Sequence, residues 1–367
     1  MAGSGFGTNF RITTWGETHG AGVGVVVDGC PAGLPLERED VQKYLDRRKP
    51  GQSKYTTQRK EGDQVEILSG IFEGRTTGTP ISMVVYNKDQ RSKDYSNIKD
   101  IYRPGHADFT FDMKYGFRDY RGGGRSSGRE TIGRVAAGAV AAKVLKELGI
   151  EIKAYAKAIA GIEVSKDYFD FAEMNNNPFN MPDKEAAKLV QEKADQMIKE
   201  MDSIGGIIEC QITGMPVGIG ETVFDKLDAE LSKAIMSIGS VKGFEIGDGF
   251  EAANLRGSEN NDDFICVDGK VEKETNHSGG VLGGMSDGSA IVFRAAIKPT
   301  PSIAQTQKTV NRDLDNVEIE IHGRHDPMIV PRAVVVVESM AAVTILDGVL
   351  KNLGATMDNI KKIYGCL

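Results

Sequence analysis

The amino-acid sequence predicts an α+β fold in which two related halves form a single domain over residues 1–367. A strand and a helix are joined by the pattern GxPxG twice, at residues 29–33 and again at 214–218. A long apolar helix that ends in Leu-Gly is also predicted late in each half, at about 128–149 and 332–354. We therefore predict halves at about 1–150 and 207–367, with a peripheral helical segment at about 165–205.

The composition is typical of a soluble globular protein. Hydrophobic residues make up 40% and charged residues 26% of the chain, and the formal net charge is -7. The four cysteines are scattered without a CxxC pair, which indicates structural thiols in a reducing cytoplasm. The N-terminus has no signal-peptide pattern, and no apolar run approaches the roughly 20 residues that span a bilayer. The sequence therefore predicts a cytoplasmic protein without a membrane partner.

The first half is predicted to alternate short strands with glycine turns around one early helix. Alternating apolar residues indicate the strands, and an acidic first turn followed by a terminal proline and glycine indicates the helix. One turn places His19 between glycines, which exposes it by its position. The predicted strands lie at residues 9–16, 23–27 and 64–87, the helix at about 37–48, and a polar loop at 88–100.

A strand and the mostly charged peripheral helix lie between the two halves, and the second half then repeats the order of strand, GxPxG and helix. Two glycine-rich loops follow, with His277 in the second. Neither GxGxxG nor GxxxxGK[ST] occurs, so neither a Rossmann fingerprint nor a P-loop is indicated. The predicted strands lie at 152–164, 207–213 and 317–321, the helices at 183–201 and up to residue 236, and the loops at 237–250 and 275–293.

Positive charge concentrates in residues 102–134, which hold six arginines and His106. The glycine run 122–124 leads into Ser127-x-x-Glu130, which has the form of a capping box at the start of an amphipathic helix. Unpaired N–H groups at a helix start attract anions, and arginine forks bind phosphate or carboxylate. The stretch therefore predicts a site for a small polyanion. An exposed basic loop and an RNA-binding arginine–glycine segment are the alternatives.

Two further stretches have the composition of an anion site. Residues 42–60 hold seven basic residues and one acidic residue, which indicates either a solvated helix end or the other side of the same site. Residues 298–302 offer one cation and two hydroxyls for a phosphate or a ring edge. His322, His325 and Asp326 are possible metal ligands, but HxxH on a glycine turn without other ligands is a weak signal. No metal is predicted.

Six blocks of the sequence, taken in order, are similar to those of the chorismate synthase family. Any one block is only modest evidence for the family. Six blocks in the family's order, over nearly the whole chain, are highly specific evidence. The fold that this resemblance implies is a β-α-β sandwich, with long helices between two antiparallel sheets, usually assembled as a homotetramer. The blocks are residues 16–20, 46–48, 103–108, 120–131, 277–286 and 323–332.

The resemblance implies an enzyme that converts 5-enolpyruvylshikimate 3-phosphate to chorismate and phosphate. The reaction is an anti-1,4-elimination without net redox change, yet it requires reduced FMN, which would come from an external source. The substrate carries one phosphate and two carboxylates, so arginines would supply the countercharge. No nucleic-acid or membrane partner is implied. The alternatives are a flavin-dependent oxidoreductase acting on an anionic small molecule and an RNA-binding protein.

The resemblance also implies roles for individual residues. The catalytic residues would be His19, which protonates the leaving phosphate, His106, which protonates reduced flavin, and Asp326, which helps to remove the ring proton. The substrate's anionic groups would be bound by Arg48, Lys54, Arg103, Arg129, Arg134 and Arg324. FMN would be bound by Arg125, Ser126, Ser127, Gly239, Ser240, Gly283, Lys298, Pro299, Thr300, Pro301, Ser302 and Arg324.

The sequence departs from the family at few positions. Thr18 stands where the family often has serine, and Gly128 where it often has alanine, and both changes are small. Met328 and Val335 stand where the family often has cysteine and proline. Both lie beyond the predicted catalytic aspartate, so they concern the geometry of the following helix and not the predicted activity.

Overall fold

Two five-stranded antiparallel sheets enclose the long helices of the chain. The computed structural model describes residues 3–56, 61–88, 99–321 and 326–365. The helices are α1 (Arg38–Arg48), α2 (Asp108–Tyr115), α3 (Thr131–Glu147), α4 (Lys184–Glu200), α5 (Leu227–Met236), α6 (Gly257–Asn260), α7 (Val330–Lys351) and α8 (Met357–Ile363). The strands of the first sheet are β1 (Gly5–Phe6), β2 (Arg11–Gly16), β3 (Gly22–Asp28), β4 (Val65–Ile67) and β7 (Ile81–Tyr86). Those of the second are β8 (Glu151–Ile159), β9 (Ile162–Glu163), β10 (Gly206–Thr213), β11 (Val241–Ile246) and β16 (Ile291–Ile297).

Four short hairpins complete the described structure. They are β5 (Ile71–Phe72) with β6 (Arg75–Thr76), β12 (Phe264–Val267) with β13 (Lys270–Lys273), β14 (Val281–Leu282) with β15 (Met285–Ser286), and β17 (Gln307–Val310) with β18 (Asn316–Ile319). Most of the polar loop predicted at 88–100 and the end of the basic stretch 42–60 lie outside the described residues.

The two sheets have the same strand order. The first runs β1-β2-β3-β7-β4 and the second β11-β16-β10-β8-β9, so β2-β3-β7-β4 corresponds to β8-β10-β16-β11. In each half a helix follows the second of these strands: α1 follows β3, and α5 follows β10. A short hairpin precedes the third: β5–β6 comes before β7, and β14–β15 comes before β16. The helix α3 packs against β3, α7 packs against β8 and β10, and the two helices pack against each other. The predicted α+β class, with long helices between two antiparallel sheets, is confirmed.

The repeated GxPxG pattern makes the same local contact in both halves. In the first half the hydroxyl of Thr76, on β6, donates to the carbonyl of Pro31 at 2.6 Å. In the second half the hydroxyl of Ser286, on β15, donates to the carbonyl of Pro216 at 2.6 Å. The halves therefore share strand order and a hydrogen bond that ties each hairpin to its GxPxG turn. The boundaries of the halves stay a prediction.

The helices α3 and α7 run side by side in the same direction. Both begin beside Arg48 and both end beside an open cavity lined by Leu148 and Val349. They approach very closely at Gly138, where an added Cβ would lie 2.3 Å from the Cβ of Ser339. The many alanines and glycines of α3 allow this distance, because larger side chains would hold the two helices apart.

We expect Gly138→Ala to lower the free energy of unfolding by about 1–3 kcal/mol, the usual cost of overpacking a core. The loss should appear even though alanine is a better helix former than glycine. It can be measured by urea denaturation. Gly128→Ala is the control, since no atom lies within 4 Å of a Cβ added there. Unchanged stability of Gly138→Ala would contradict the close packing of α3 on α7.

Within the described parts of the chain, one helix is long and apolar enough to cross a membrane. The most apolar 18-residue part of the stretch Val330–Gly354, which contains α7, has a mean hydropathy of 2.0. The prediction that no apolar run approaches this length is therefore wrong. However, 78% of its most apolar part is buried inside the protein. Glu338 in its middle is also buried and accepts two hydrogen bonds from Arg47, at 2.6 and 2.9 Å. The helix is the core of the sandwich.

Candidate active site

One end of the helical layer gathers helix termini that favour anions. Arg48, the last residue of α1, donates from Nε to the hydroxyl of Thr131 at 3.1 Å, where α3 begins. Arg332, in the first turn of α7, donates from Nε to the carbonyl of Arg48 at 3.3 Å. The N-termini of the two longest central helices therefore lie close together. The positive ends of their dipoles favour a bound anion at this point.

Three arginines, Arg48, Arg129 and Arg332, lie at this end, and we call them the arginine cluster. Asp63 joins two of them: its Oδ2 accepts from Arg48 Nη1 at 3.1 Å and its Oδ1 accepts from Arg129 Nη1 at 2.8 Å. The Asp63 side chain is 0% exposed, and Arg48 is 3% exposed. Burial, with the positive charges of Arg332 and Arg129, lowers the pKa of Arg48 to about 10. Closely spaced positive charge is thus held away from water.

Arg129 connects the arginine cluster to the turn that carries His19. Its Nε donates to Asn87 Oδ1 at 2.6 Å. The Nδ2 of Asn87 in turn donates to the carbonyls of Glu17 and Gly20, at 2.9 and 2.8 Å. One amide side chain therefore fixes the position of the His19 turn relative to a buried cation.

His19 packs against the glycine run at 122–124. A Cβ added at Gly122 would lie 2.6 Å from Cδ2 and 2.8 Å from Nε2 of His19. Only glycine leaves room for the imidazole ring at this position. Steric contact with His19 therefore explains why the first residue of the run is a glycine. The structure thus brings the predicted catalytic histidine against the stretch that the sequence marked as an anion site.

We expect Gly122→Ala to displace the His19 ring and to lower turnover in the predicted reaction by up to about 10²-fold, since small misplacements of reacting groups are costly. Gly128→Ala is the matched control: it lies in the same stretch, and its added methyl group meets no atom within 4 Å. Steady-state kinetics of the two variants tests the expectation. Equal activity in both would show that the contact between His19 and Gly122 does not matter.

The predicted capping box at Ser127 and Glu130 is wrong in its pairing. The Ser127 hydroxyl accepts from the N–H of Arg129 at 3.3 Å and starts a 3-10 turn that precedes α3. The carboxylate of Glu130 does not reach back to Ser127, because it accepts from the hydroxyl of Thr14 at 2.7 Å instead. A partner on β2 that is distant in sequence has replaced the local one.

His106 is held at both ring nitrogens. Nδ1 lies 2.9 Å from the carbonyl of Pro104, and Nε2 lies 3.0 Å from the hydroxyl of Ser302. A carbonyl can only accept, so the proton of the neutral ring lies on Nδ1, and Nε2 accepts from Ser302. Burial and the nearby positive charge of Arg103 lower the pKa of His106 below its usual 6.5. The ring is therefore neutral near pH 7, with one defined tautomer.

Three stretches that the sequence predicted separately meet beside His106. The Lys298 ammonium donates to the carbonyl of Gly105 at 3.1 Å, and the Lys298 N–H donates to the carbonyl of Ser240 at 2.9 Å. Within the described residues, the hydroxyl of Thr300 is buried and has no hydrogen-bond partner. An unsatisfied hydroxyl two residues from a lysine fits a phosphate-bearing cofactor, so these residues suit the FMN that the family resemblance implies.

Two predicted substrate-binding cations pair with carboxylates outside the arginine cluster. Arg103 donates to both oxygens of Asp108, at 2.7 and 2.8 Å. It lies three residues before His106 in the chain and contributes to the lowered pKa of that residue. The Lys54 side chain is 63% exposed and pairs with Asp195 of α4 at 2.8 Å. The structure therefore places the Lys54 ammonium against the peripheral helix and not in the arginine cluster.

Arg125 and Arg134 tie the central stretch to its surroundings. Arg125 donates from Nη1 to the carbonyl of Gly16 at 3.0 Å and from Nη2 to the hydroxyl of Thr14 at 2.7 Å. Arg134 donates from Nη1 to the hydroxyl of Ser237 at 2.6 Å. These bonds fix the 3-10 turn with Ser126 and Ser127 beside the end of β2, and they join α3 to the loop of Gly239 and Ser240.

Asp326 lies at the arginine cluster, where its Oδ2 accepts from Arg332 Nη1 at 2.8 Å. The structure thus brings the predicted catalytic carboxylate to the predicted anion site. Arg324, predicted to contact both substrate and FMN, lies outside the described residues, as do His322 and His325. Over the described parts of the chain, no group of three or more His, Cys, Asp or Glu residues could hold a metal ion.

Gly283 lies apart from the other predicted residues within one chain. It is at the tip of the β14–β15 hairpin, where Met285 pairs with Gly220. Ile219, the residue before Gly220, packs against Gly348 near the end of α7. Arg332 is more than four helical turns earlier, roughly 24 Å along the axis at 1.5 Å per residue. A single chain therefore does not bring Gly283 to the arginine cluster.

Four residues of the site were not among those predicted: Glu61, Asp63, Asn87 and Arg332. Arg332 had one signal, since it closes the last block that resembles the family. Glu61 and Asp63 had none, because carboxylates are not expected in a site for an anion. Asn87 follows the strand β7 without any motif around it.

Comparison with known proteins gives one consistent result. The sequence model of the family described as chorismate synthase matches residues 10–350. A chorismate synthase from Lachnospira eligens is 68% identical over 364 residues, which cover 99% of this chain and 100% of that protein. One from Methanococcoides burtonii is 56% identical over 355 residues, covering 96% and 97%. A crystal structure of a chorismate synthase superposes with a TM-score of 0.77 at 31% identity, covering 98% of this chain and 97% of that one.

These matches span both sheets, the central helices and the stretches that meet at the arginine cluster. Sequence and fold point to the same group of proteins, and this chain belongs to the chorismate synthase family.

Proposed function

We propose that this chain converts 5-enolpyruvylshikimate 3-phosphate to chorismate and phosphate by an anti-1,4-elimination. The observation that carries the proposal is the arginine cluster at the paired N-termini of α3 and α7. A substrate with one phosphate and two carboxylates needs closely spaced cations that can form forked hydrogen bonds. Membership of the family supports the same reaction.

In this proposal the arginines bind the substrate, and nearby side chains move protons. Arg48 and Arg129 would hold anionic groups of the substrate, with Arg103 and Arg134 at the borders of the site. His19, packed on Gly122, would donate a proton to the oxygen of the departing phosphate. Asp326 would be this chain's group for taking up the ring proton. The substrate would thus lose a proton and a phosphate, and no net oxidation would occur.

We infer that the cofactor is FMN in its reduced form, supplied from an external source. When bound, reduced FMN would supply electron density that eases departure of the allylic phosphate and would then recover it. Lys298, Thr300 and the 3-10 turn with Ser126 and Ser127 are the residues that would hold it. His106, which is fixed beside them by Pro104 and Ser302, would be this chain's group for donating a proton to the bound flavin.

The proposal is tested by anaerobic phosphate release from 5-enolpyruvylshikimate 3-phosphate, with FMN either oxidised or chemically reduced. Release only with reduced FMN, without stoichiometric oxidation of the flavin, is the expected result. Folded protein that binds FMN but releases no phosphate in either case would favour the oxidoreductase alternative. Strong retention on heparin that is lost at moderate salt would favour RNA binding instead.

We propose that the working assembly is a homotetramer. Gly283 is remote from the arginine cluster within one chain, so a second copy would have to bring it to a flavin. Val223 and Phe224, close in sequence to the Gly220 that pairs with this hairpin, are 71% and 88% exposed and suit a contact between copies. Light scattering should give about four times the 39.7 kDa of one chain. A monomeric mass for active protein would contradict this.

We place the activity in the cytoplasm. Cys30, Cys210 and Cys266 are free thiols, as is usual for proteins of a reducing compartment. Burial raises the pKa of Cys30 to about 11, so that thiol is protonated at neutral pH and is suited to a structural role. Cell fractionation with a tagged chain tests the location.

A further inference from the structure

Glu61 lies against a cation that the proposed function assigns to the substrate. Its Oε2 is 2.9 Å from Nη2 of Arg129, and both side chains are 7% exposed. The contact is not aligned as a hydrogen bond, and Nη2 is a buried donor without an aligned acceptor within the described chain. By contrast, Nε and Nη1 of Arg129 make bonds of 2.6 and 2.8 Å to Asn87 and Asp63. The Nη2 edge of the buried Arg129 guanidinium therefore faces a carboxylate that is close to it but not aligned for a hydrogen bond.

The described arginine cluster is electrically balanced before a substrate arrives. Its three cations are matched by the three carboxylates of Glu61, Asp63 and Asp326. A ligand with one phosphate and two carboxylates brings at least three further negative charges. Adding them to a buried and already neutral cluster is costly, because unpaired charges are strongly disfavoured away from water. Withdrawal of one carboxylate from the described cluster would offset part of this cost.

Glu61 is the carboxylate best placed to withdraw. Asp63 uses both oxygens, one on each of two arginines, and its backbone carbonyl also accepts from Gln42 at 3.3 Å. Asp326 is one of the predicted catalytic groups. Glu61 contacts the cluster through one oxygen of a long side chain, without good hydrogen-bond geometry. Rotation of that side chain would expose Nη2 of Arg129 and leave its other two bonds in place.

We propose that the Glu61 carboxylate occupies the position of one anionic group of the substrate in front of Arg129 and withdraws when the substrate binds. The inference rests on the proposed function, because it takes the substrate to be a polyanion bound by Arg129. Glu61 is then a specificity-determining residue: a ligand has to carry an anion that Arg129 binds better than Glu61. Asp63 is a positioning residue that holds Arg48 and Arg129 at a fixed spacing throughout.

Isothermal titration calorimetry with 5-enolpyruvylshikimate 3-phosphate, on the full chain with oxidised FMN, tests the proposal. Glu61→Gln should bind this ligand about tenfold more tightly, because no charged carboxylate has to be displaced from Arg129. KM should fall with the dissociation constant, and kcat should not rise, because the gain is in ground-state binding. Asp63→Asn should change the affinity in the opposite direction, since the two arginines lose their common partner.

Glu66→Gln is the matched control, because Glu66 is an exposed residue of β4 and its removal changes the net charge equally. Glu61→Ala should show the same gain as Glu61→Gln, which excludes an effect of the new amide. Unchanged or weaker binding in both Glu61 variants would overturn the proposal, as would an equal gain in Glu66→Gln. A wild-type chain that neither binds the ligand nor releases phosphate would instead defeat the proposed function itself.

Discussion

His106→Ala is expected to lower the turnover of 5-enolpyruvylshikimate 3-phosphate by about 10²-fold or more, the usual effect of losing a group that transfers protons. The ring is fixed by Pro104 and Ser302, and burial keeps it neutral by lowering its pKa. A neutral ring adds no countercharge for the substrate, so its loss should reduce kcat and leave substrate affinity nearly unchanged. Anaerobic phosphate release with chemically reduced FMN, together with calorimetry, measures both. Near-normal turnover would remove His106 from the mechanism.

Ser302→Ala tests the tautomer that the hydrogen bonds define. Ser302 donates to Nε2 and so stabilises the neutral ring, and its loss should raise the pKa of His106 in an NMR titration. In the intact protein this pKa lies below that of the unfolded chain. The corresponding stability is therefore fully present above about pH 6.5 and is lost as the pH falls through the folded pKa. The stability that is lost as the pH falls should be smaller in Ser302→Ala, because the pKa of His106 in this variant lies closer to that of the unfolded chain. An unchanged pKa in the variant would show that the hydroxyl does not set the tautomer.

Two arginines of the cluster, Arg48 and Arg129, could be predicted from the sequence, whereas the carboxylates of Glu61 and Asp63 could not. Arg48 and Arg129 lie in stretches rich in basic residues, which local composition detects. Asp63 is 66 residues from Arg129 and reaches it through the fold. Gln42 of α1 bonds both the carbonyl of Asp63 and the N–H of Val65, which fixes the start of β4 beside the arginines. Nothing in local spacing encodes that contact between a helix and a strand.

The same limit explains which elements were missed. Apolar periodicity predicted the long helices α3 and α7, because each buries an apolar surface. The helix α2 lies inside the arginine-rich stretch and was not predicted. Its buried residue is Asp108, which pairs with Arg103 at 2.7 Å and Arg118 at 2.8 Å. Ion pairs position this helix, and a pattern of apolar residues cannot reveal them.

Arg48→Ala is expected to lower the free energy of unfolding by about 3–5 kcal/mol, the typical cost of breaking a buried ion pair. Arg48 is 3% exposed and donates to Asp63, to the hydroxyl of Thr131 and to the carbonyl of Gly128, the last at 2.7 Å. Its removal leaves Asp63 with one cation fewer and leaves the carbonyl of Gly128 with one donor fewer, since the hydroxyl of Thr131 still donates to that carbonyl at 2.6 Å. Urea denaturation measures the loss. Arg121→Ala is the control, because that arginine pairs with its neighbour Asp119 on the surface and its loss should matter little.

The double variant Arg48→Ala/Asp63→Ala separates the structural role of Arg48 from its role in binding. If the single variant is unstable because Asp63 keeps a buried and poorly compensated charge, removing that charge should recover part of the lost stability. Recovery should be incomplete, since Arg129 then also lacks Asp63. Strictly additive losses would contradict the idea that Asp63 joins the two arginines. Affinity for 5-enolpyruvylshikimate 3-phosphate should stay low even where stability returns, because the cation that faces the substrate is absent in both variants.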